Sequence, residues 1–233
     1  MDIFDEVLDS LPDFPVTDLR VGLHWTAAVS KNCGLALTLP EPYKMGVRNA
    51  GSIVGRSGKE VAGFARSWNP VEASIGVATL NSLLDFDGEE INAIDYIERI
   101  SKNKKIVFIG HFPRLEHIKE KASSMIVLER SPHKGDLPDT ACEYVIPDAD
   151  IVAISGSVFV NRTFKRLLEL SENVYTILLG PSVIKSDILF NYGVDAIASS
   201  NVINSSTVLS AVSEGGHLDD FSRYLKYVMK FKR

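Results

Sequence analysis

The chain has 233 residues, 45% of them hydrophobic and 24% charged, and a formal net charge of −5. This length suits one large domain or two small ones, and the composition is that of an ordinary globular protein. The acidic balance predicts no basic face, which argues against nucleic acid as a partner. No apolar run approaches the roughly 20 residues that a membrane-spanning helix needs, so no membrane partner is expected.

The cysteines and the N-terminal segment bear on the cellular compartment. Cys33 and Cys142 are far apart in sequence and form no CxxC motif, so reduced thiols are expected. The first residues, MDIFDEVLDSLPD, are acidic and amphipathic, which is unlike a secretory signal. The sequence therefore predicts a cytoplasmic protein.

The first ninety residues predict a small α+β domain at 1–90. A helix is expected at 3–11, and further helices follow a break at Pro40–Pro42, the first of them at 59–68. Between them, short strands separated by polar turns predict an antiparallel meander. These strands are expected at 16–23, 25–30 and 35–39.

A helix at 71–84 has a well-marked beginning. Asn69 is the expected N-cap, Pro70 occupies the first helical position, and Glu72 stands where a capping box has an acidic residue. Its small residues predict close packing, either at a domain interface or in a homodimer. They are Ala73, Gly76 and Ala78.

From about residue 93 apolar strands alternate with helices, which predicts a Rossmann-like parallel-sheet domain at 91–233, joined by a linker at 85–90. Strands are expected at 105–110, 124–129, 150–155, 174–180 and 194–198. Helices are expected between them at 113–122, 138–144, 161–171 and 186–192. Two further helices, at 204–214 and 218–230, are expected to close the chain, with the basic tail complementing the dipole of the last one.

Ligands of an open parallel sheet bind beyond the carboxyl ends of its strands. The first such turn is Gly110-His111-Phe112-Pro113, which has one glycine where a dinucleotide fingerprint has three, so ordinary NAD binding is disfavoured. Phe112 would stack on a flat ligand while His111 meets an anion or a metal. Alternatively, Phe112 is core and His111 caps the turn.

Other strand ends offer further candidates. Glu129 ends the second strand, where an acid bonds a ribose hydroxyl, or else it pairs with Arg130 at the surface. Asp136 lies in a polar loop that either reaches the site rim or is simply solvated. Asn161 and Thr163 are helix caps or ligand contacts. Turns at the remaining strand ends add Gly156, Ser157, Gly180, Pro181 and Ser182.

Metal motifs are absent from the sequence, which has no HExxH, cysteine cluster or DxDxDG loop. His111, Glu129, Asp136, Cys142 and Glu143 are metal ligands only if the fold gathers them. A buried small residue is the commoner role for a lone cysteine such as Cys142. The sequence supports no Ser-His-Asp arrangement.

Several long stretches together resemble the DUF364 family, also called the putative heavy-metal chelation domain, with a DUF4213 segment at the N-terminus. They are GLHWTAAVS, CGLALTL, SWNPVEASIGVATLN, IGHFP, LERSPHKGDLPDTACEYVIPDADIVAISGSVFVNRTF and LLGPSVIKSDILFNYGVDAIASS. The resemblance implies an enolase N-terminal-like α+β domain, a Rossmann-like domain and a site in the cleft between them. The motif positions are Asn69, Glu72, Gly110, His111, Phe112, Pro113, Glu129, Asp136, Asn161, Thr163, Pro181 and Ser182. Val183 stands where the family pattern leads us to expect threonine.

Three functions compete. The first is handling of a divalent transition metal or its chelate, with His111 and Glu72 as ligands; alternatively, Glu72 only completes its capping box. The second is an enzyme that binds a nucleotide-like or S-adenosylmethionine-like ligand at the switch point. The third is a non-catalytic sensor of a small ligand.

Overall fold

The computed structural model describes residues 3–40 and 45–233. The expected break at Pro40–Pro42 therefore lies partly outside the described residues. The N-terminal half contains a three-stranded antiparallel sheet of order β1-β2-β3, which confirms the predicted meander. Its strands are β1 (Asp18–Val21), β2 (Trp25–Val29) and β3 (Cys33–Leu37). Its helices are α1 (Ile3–Ser10), α2 (Gly58–Ala62) and α3 (Pro70–Leu83), with a 3-10 turn at Gly63–Arg66 after α2.

Helix α3 begins as predicted, with Asn69 Oδ1 accepting from the backbone N–H groups of Val71 and Glu72. The capping box predicted for Glu72 is wrong, because the Asn69 N–H donates to Ser67 Oγ. A Cβ added at Gly76 would lie 1.9 Å from the Ala65 backbone nitrogen. The small residues of α3 thus serve close packing within the chain, and the homodimer stays a prediction.

The second sheet has seven strands in the order β10-β9-β8-β7-β4-β5-β6. They are β4 (Lys105–Ile109), β5 (Ser124–Glu129), β6 (Leu137–Pro138), β7 (Ile151–Ser155), β8 (Tyr175–Leu179), β9 (Ala196–Val202) and β10 (Leu225–Phe231). Strands β4 to β9 run parallel, so the five predicted strands are confirmed. Strand β6 was not predicted from the sequence; it pairs with β5 over only two residues.

The helices of this half are α4 (Ala93–Ile100), α5 (Glu116–Lys121), α6 (Cys142–Val145), α7 (Ser157–Val160), α8 (Phe164–Leu170), α9 (Ser205–Ser213) and α10 (Leu218–Phe221), with 3-10 turns at Asp139–Ala141, Asp187–Tyr192 and Ser222–Tyr224. Helices α4 and α7 were not predicted, and the predicted helices are shorter than expected. The helix expected from residue 113 starts at Glu116, so the turn between β4 and α5 is longer than predicted. The helix expected at 161–171 starts at Phe164.

The helix predicted at 218–230 is wrong. Helix α10 ends at Phe221, and β10 pairs antiparallel with β9 along its whole length. Lys226 and Lys230 therefore complement no helix dipole; they pair with Glu90 and Asp187. The physical reason is that β9 has a free edge, whose backbone groups β10 satisfies.

The order of the second sheet fixes where a ligand can bind. The chain runs outward from β4 to β5 and β6, then returns to β7 on the other side of β4. The switch point thus lies beyond the carboxyl ends of β4 and β7. The first sheet approaches the same edge, where the Leu37 N–H donates to Ser182 Oγ at 2.8 Å. Across the described ranges, no helix is both long enough and apolar enough to span a membrane.

Candidate functional site

The turn after β4 is closed by Gly110, whose φ is +101°. A Cβ at this position would lie 3.1 Å from Ser155 Cβ at the end of β7, so glycine permits both the backbone conformation and the close approach. The following Phe112 ring is half-buried and packs against Phe108, with ring centroids 5.9 Å apart. The His111 side chain remains 39% exposed. The turn therefore anchors one aromatic ring and presents one imidazole.

Glu129 at the end of β5 fixes this turn from the neighbouring strand. Its Oε1 accepts from the His111 N–H at 3.0 Å, and its Oε2 accepts from the Arg130 N–H at 3.1 Å. The Arg130 side chain pairs with Asp139 instead, at 3.4 Å. The side-chain pair predicted between Glu129 and Arg130 is therefore not formed.

Two histidines and one aspartate converge beside the turn. His111 Nε2 lies 2.6 Å from Asp136 Oδ2, which also accepts from the His133 N–H at 2.7 Å. The two imidazole rings stack with centroids 4.8 Å apart, and one potential ligand atom from each of the three residues lies within 4.8 Å of the others. The hydrogen bond from His111, supported by that from the His133 backbone, lowers the pKa of Asp136. The carboxylate is therefore ionised at neutral pH.

A cavity of about 350 Å³, here called the Phe112 cavity, opens at the switch point. Its floor is formed by the turns that follow β4, β7 and β8, and the first sheet closes one side. The residues of these turns include Gly110, His111, Phe112, Pro113, Ser155, Gly156, Ser157, Gly180, Pro181 and Ser182, and the first sheet contributes Trp25 and Leu37. Ser182 itself is buried, and its hydroxyl is engaged by β3.

A second cavity of about 710 Å³, the Asn161 cavity, lies on the β5 side. It shares Leu37, Gly110, Glu129 and Ser157 with the Phe112 cavity. Asn161 and Thr163 line it. The caps expected from these two residues are not formed: Asn161 follows α7, and Thr163 precedes α8 without a side-chain hydrogen bond to it.

The two site residues predicted in the first half of the chain, Asn69 and Glu72, lie outside the cluster of His111, His133 and Asp136. Glu72 is buried and accepts hydrogen bonds from the Arg48 backbone and guanidinium and from Ser67 Oγ. Burial alone would raise its pKa, but these hydrogen bonds together outweigh burial and lower it. Asn69 bonds the Gly46 carbonyl. Within the described part of the chain, the cluster around His111 does not include Glu72.

The remaining acidic and thiol candidates line the Asn161 cavity without joining the histidine cluster. Glu143 pairs with Arg166. Burial, with Glu143 as a smaller cause, raises the pKa of the Cys142 thiol. Sequence reasoning missed His133; its one signal was its position three residues before Asp136 in the same loop. Val183 is fully buried, so its side chain belongs to the core.

Comparisons with known proteins give a consistent assignment. Residues 92–231 match the DUF364 family model and residues 4–84 match DUF4213, both described as "Putative heavy-metal chelation". An uncharacterized protein of Methanocaldococcus jannaschii is 29% identical over 209 residues, covering 82% of this chain and 80% of the relative.

Solved structures agree over nearly the whole length. A DUF364 protein of unknown function from Desulfitobacterium hafniense is 28% identical with a TM-score of 0.89, and the match covers 99% of this chain and 98% of that one. One from Pyrococcus horikoshii is 24% identical with a TM-score of 0.84 and the same coverage. The chain belongs to the DUF364 family, with a DUF4213 segment in its N-terminal part.

Proposed function

We propose that the protein binds a divalent transition metal, free or as a small chelate, through His111, His133 and Asp136. The observation that supports this is the convergence of two imidazoles and one ionised carboxylate on one point, with 2.6 Å between His111 Nε2 and Asp136 Oδ2. This ligand set contains His133 and Asp136 instead of Glu72, which was the second ligand expected from the sequence.

The donor types fit such a metal. Imidazole nitrogens suit zinc, copper, iron and nickel, and three protein ligands leave a coordination position open for a further ligand. Ligand atoms on one tetrahedral metal lie about 3.4 Å apart, somewhat closer than the 4.8 Å spread here. His133 is exposed, so rotation of its side chain would bring its nitrogen closer. His111 Nε2 and Asp136 Oδ2, hydrogen-bonded at 2.6 Å, would have to move apart by somewhat less than 1 Å to share a metal. A metal bound at His111 Nε2 would replace the hydrogen bond of that atom to Asp136 Oδ2.

The neighbouring Phe112 cavity supports the chelate form of the proposal. His111 and Phe112 line the same cavity, so a metal at His111 would face a pocket with apolar and aromatic walls. The organic part of a chelate would fill that pocket while the metal takes the imidazoles. Both cysteines are free thiols, and we place this activity in the cytoplasm.

Isothermal titration calorimetry with Zn²⁺, Ni²⁺ and Co²⁺ tests the proposal on protein purified without a tag or a chelator. We expect about one equivalent to bind, with affinity falling roughly tenfold or more in His111→Ala, His133→Ala and Asp136→Asn. His117→Ala is the matched control, since His117 is exposed on α5 and pairs only weakly with Glu120, at 3.8 Å. No binding by the wild type, or equal binding by all variants, would contradict the proposal.

A further inference from the structure

We propose that the Asn161 cavity binds a ribonucleoside group, with the Glu129 carboxylate accepting hydrogen bonds from the two vicinal ribose hydroxyls. This site is separate from the metal ligands and does not depend on the proposed metal function. Three features carry the inference: the free acceptor positions of Glu129, the shape of the cavity, and the orientation of Asn161.

The Glu129 carboxylate is held in place by two hydrogen bonds, which use only half of its acceptor positions. An ionised carboxylate offers about four acceptor positions, two on each oxygen. One N–H occupies each oxygen, from His111 on Oε1 and from Arg130 on Oε2. One position on each oxygen is therefore left for a ligand, and Glu129 lines the cavity. Two adjacent hydroxyl groups, which donate side by side, match such a pair of acceptors.

The cavity has the size and walls for the rest of a nucleoside. Its volume of about 710 Å³ falls within the usual range of small-molecule sites. Apolar side chains from both sheets and from α7 and α8 form its walls, among them Leu37, Leu128, Val158 and Leu167. These surfaces would cover the faces of a planar base, while the sugar remains at the polar end beside Glu129.

Asn161 provides a donor for the base. Its Oδ1 accepts from both the N–H and the hydroxyl of Thr163, at 3.1 and 2.6 Å. Its Nδ2 makes no hydrogen bond to any residue that the structure describes, so this group is available to a ring nitrogen or carbonyl. The intervening Arg162 has a φ of +66°, a conformation that non-glycine residues rarely adopt and that concentrates at binding sites.

The turn after β4, at Gly110 and His111, argues against a pyrophosphate. In a dinucleotide site the backbone amides of the glycine turn are free to bind phosphate. Here the Gly110 N–H donates to the Leu128 carbonyl, and the His111 N–H donates to Glu129. Both amides are already used within the protein. The ligand class is thus a nucleoside without a pyrophosphate.

Calorimetry or ligand-observed NMR with the four ribonucleosides, in EDTA, tests the proposal. We expect at least one to bind the wild type, and its 2′-deoxy form to bind roughly tenfold or more weakly, since one Glu129 acceptor is then unpaired. D-ribose alone is expected to bind more weakly still. No ribonucleoside binding at millimolar concentration, equal binding of the deoxy form, or equal binding of ribose would each overturn the proposal.

Variants assign the site and separate the two proposals. Glu129→Gln should weaken ribonucleoside binding by a similar factor, whereas Glu120→Gln, on the exposed face of α5 and outside both cavities, should leave it unchanged. Equal effects would overturn the role of Glu129. The comparison of ribo and deoxy ligands needs no variant, so a folding defect in Glu129→Gln does not remove the test. Binding in EDTA by His111→Ala is expected to persist, and it would do so even if the metal proposal failed.

Discussion

Lys185 is a buried cation outside both cavities, and its replacement should stabilise the protein. The residue is 3% exposed, and Nζ has one hydrogen bond, to Asn201 Oδ1 at 3.1 Å, among the contacts of the described residues. Burial lowers the pKa of the lysine from 10.5 to about 8. The side chain is therefore still mostly charged at neutral pH, and folding must remove that charge from water.

The size of the effect follows from the pKa. Each pKa unit corresponds to about 1.4 kcal/mol, so the fall from 10.5 to about 8 represents roughly 3 kcal/mol of lost stability at low pH. Lys185→Met removes this penalty and also a charged hydrogen bond worth about 1.5 kcal/mol. We expect the free energy of unfolding at neutral pH to rise by about 1–2 kcal/mol.

The pH dependence provides the sharper test. Between the folded and unfolded pKa values the unfolded state binds more protons, so the lysine penalty disappears as the pH rises from about 8 to 10.5. Cys33 acts in the opposite direction: burial raises its pKa from 9.0 to about 12, so it lowers stability above pH 9. The quantity to follow is therefore the difference between wild type and variant.

Urea unfolding of wild type and Lys185→Met from about pH 7 to pH 10 measures that difference. We expect the stabilisation by methionine to shrink steadily across this range as the wild-type lysine loses its proton. Lys119→Met, on the exposed face of α5, is the control and should show neither effect. A variant less stable than wild type at pH 7, or a difference that is flat with pH, would refute the reasoning.

Three further changes have defined outcomes. Glu72→Ala leaves Ser67 Oγ and a backbone N–H without their acceptor, so urea unfolding should show a loss of about 1–3 kcal/mol. Because the Glu72 pKa is lowered, this loss should become smaller as acid protonates the wild-type carboxylate. Gly76→Ala should lower the melting temperature, since the clash at Ala65 costs about 1–3 kcal/mol and outweighs a gain in helix propensity of up to about 1 kcal/mol; an unchanged melting temperature would contradict this. Metal affinity should fall on acidification, because imidazole ligands must lose their protons to bind a metal. The Asp136 carboxylate should not cause this fall, since its pKa is lowered and it stays ionised to lower pH. Calorimetry at several pH values measures the affinity.

The fold could largely be predicted because its signals are local. Apolar runs alternating with helical patterns specify a parallel sheet, and the beginning of α3 is visible in the adjacent residues Asn69 and Pro70. The failure at β10 has a definite cause. Its buried residues Leu225, Val228 and Met229 have the i, i+3, i+4 spacing of a helix. This segment forms a strand because it pairs with the free edge of β9, and no local sequence pattern indicates that the edge is free.

The site was less predictable because it depends on contacts distant in sequence. The rule that ligands bind at the carboxyl ends of strands selected His111 and Glu129 without any motif. The structure brings His111 to Asp136, 25 residues away. His133 lies in an aperiodic loop, where nothing in the sequence indicates the direction of a side chain. Glu72 was expected to bind a metal together with His111. The sequence does not indicate that Arg48 lies beside Glu72 and pairs with its carboxylate.

Glu129 connects the two proposed sites, and this connection can be tested. Its Oε1 holds the His111 backbone, and Glu129 also lines the Asn161 cavity. A metal that fixes His111 should therefore change ribonucleoside affinity, and by linkage the nucleoside must change metal affinity by the same factor. Titrating each ligand with and without the other measures that factor, and Glu129→Gln should bring it close to one. Equal affinities in the presence and absence of metal, in a wild type that binds both ligands, would mean that the shared turn transmits nothing between them.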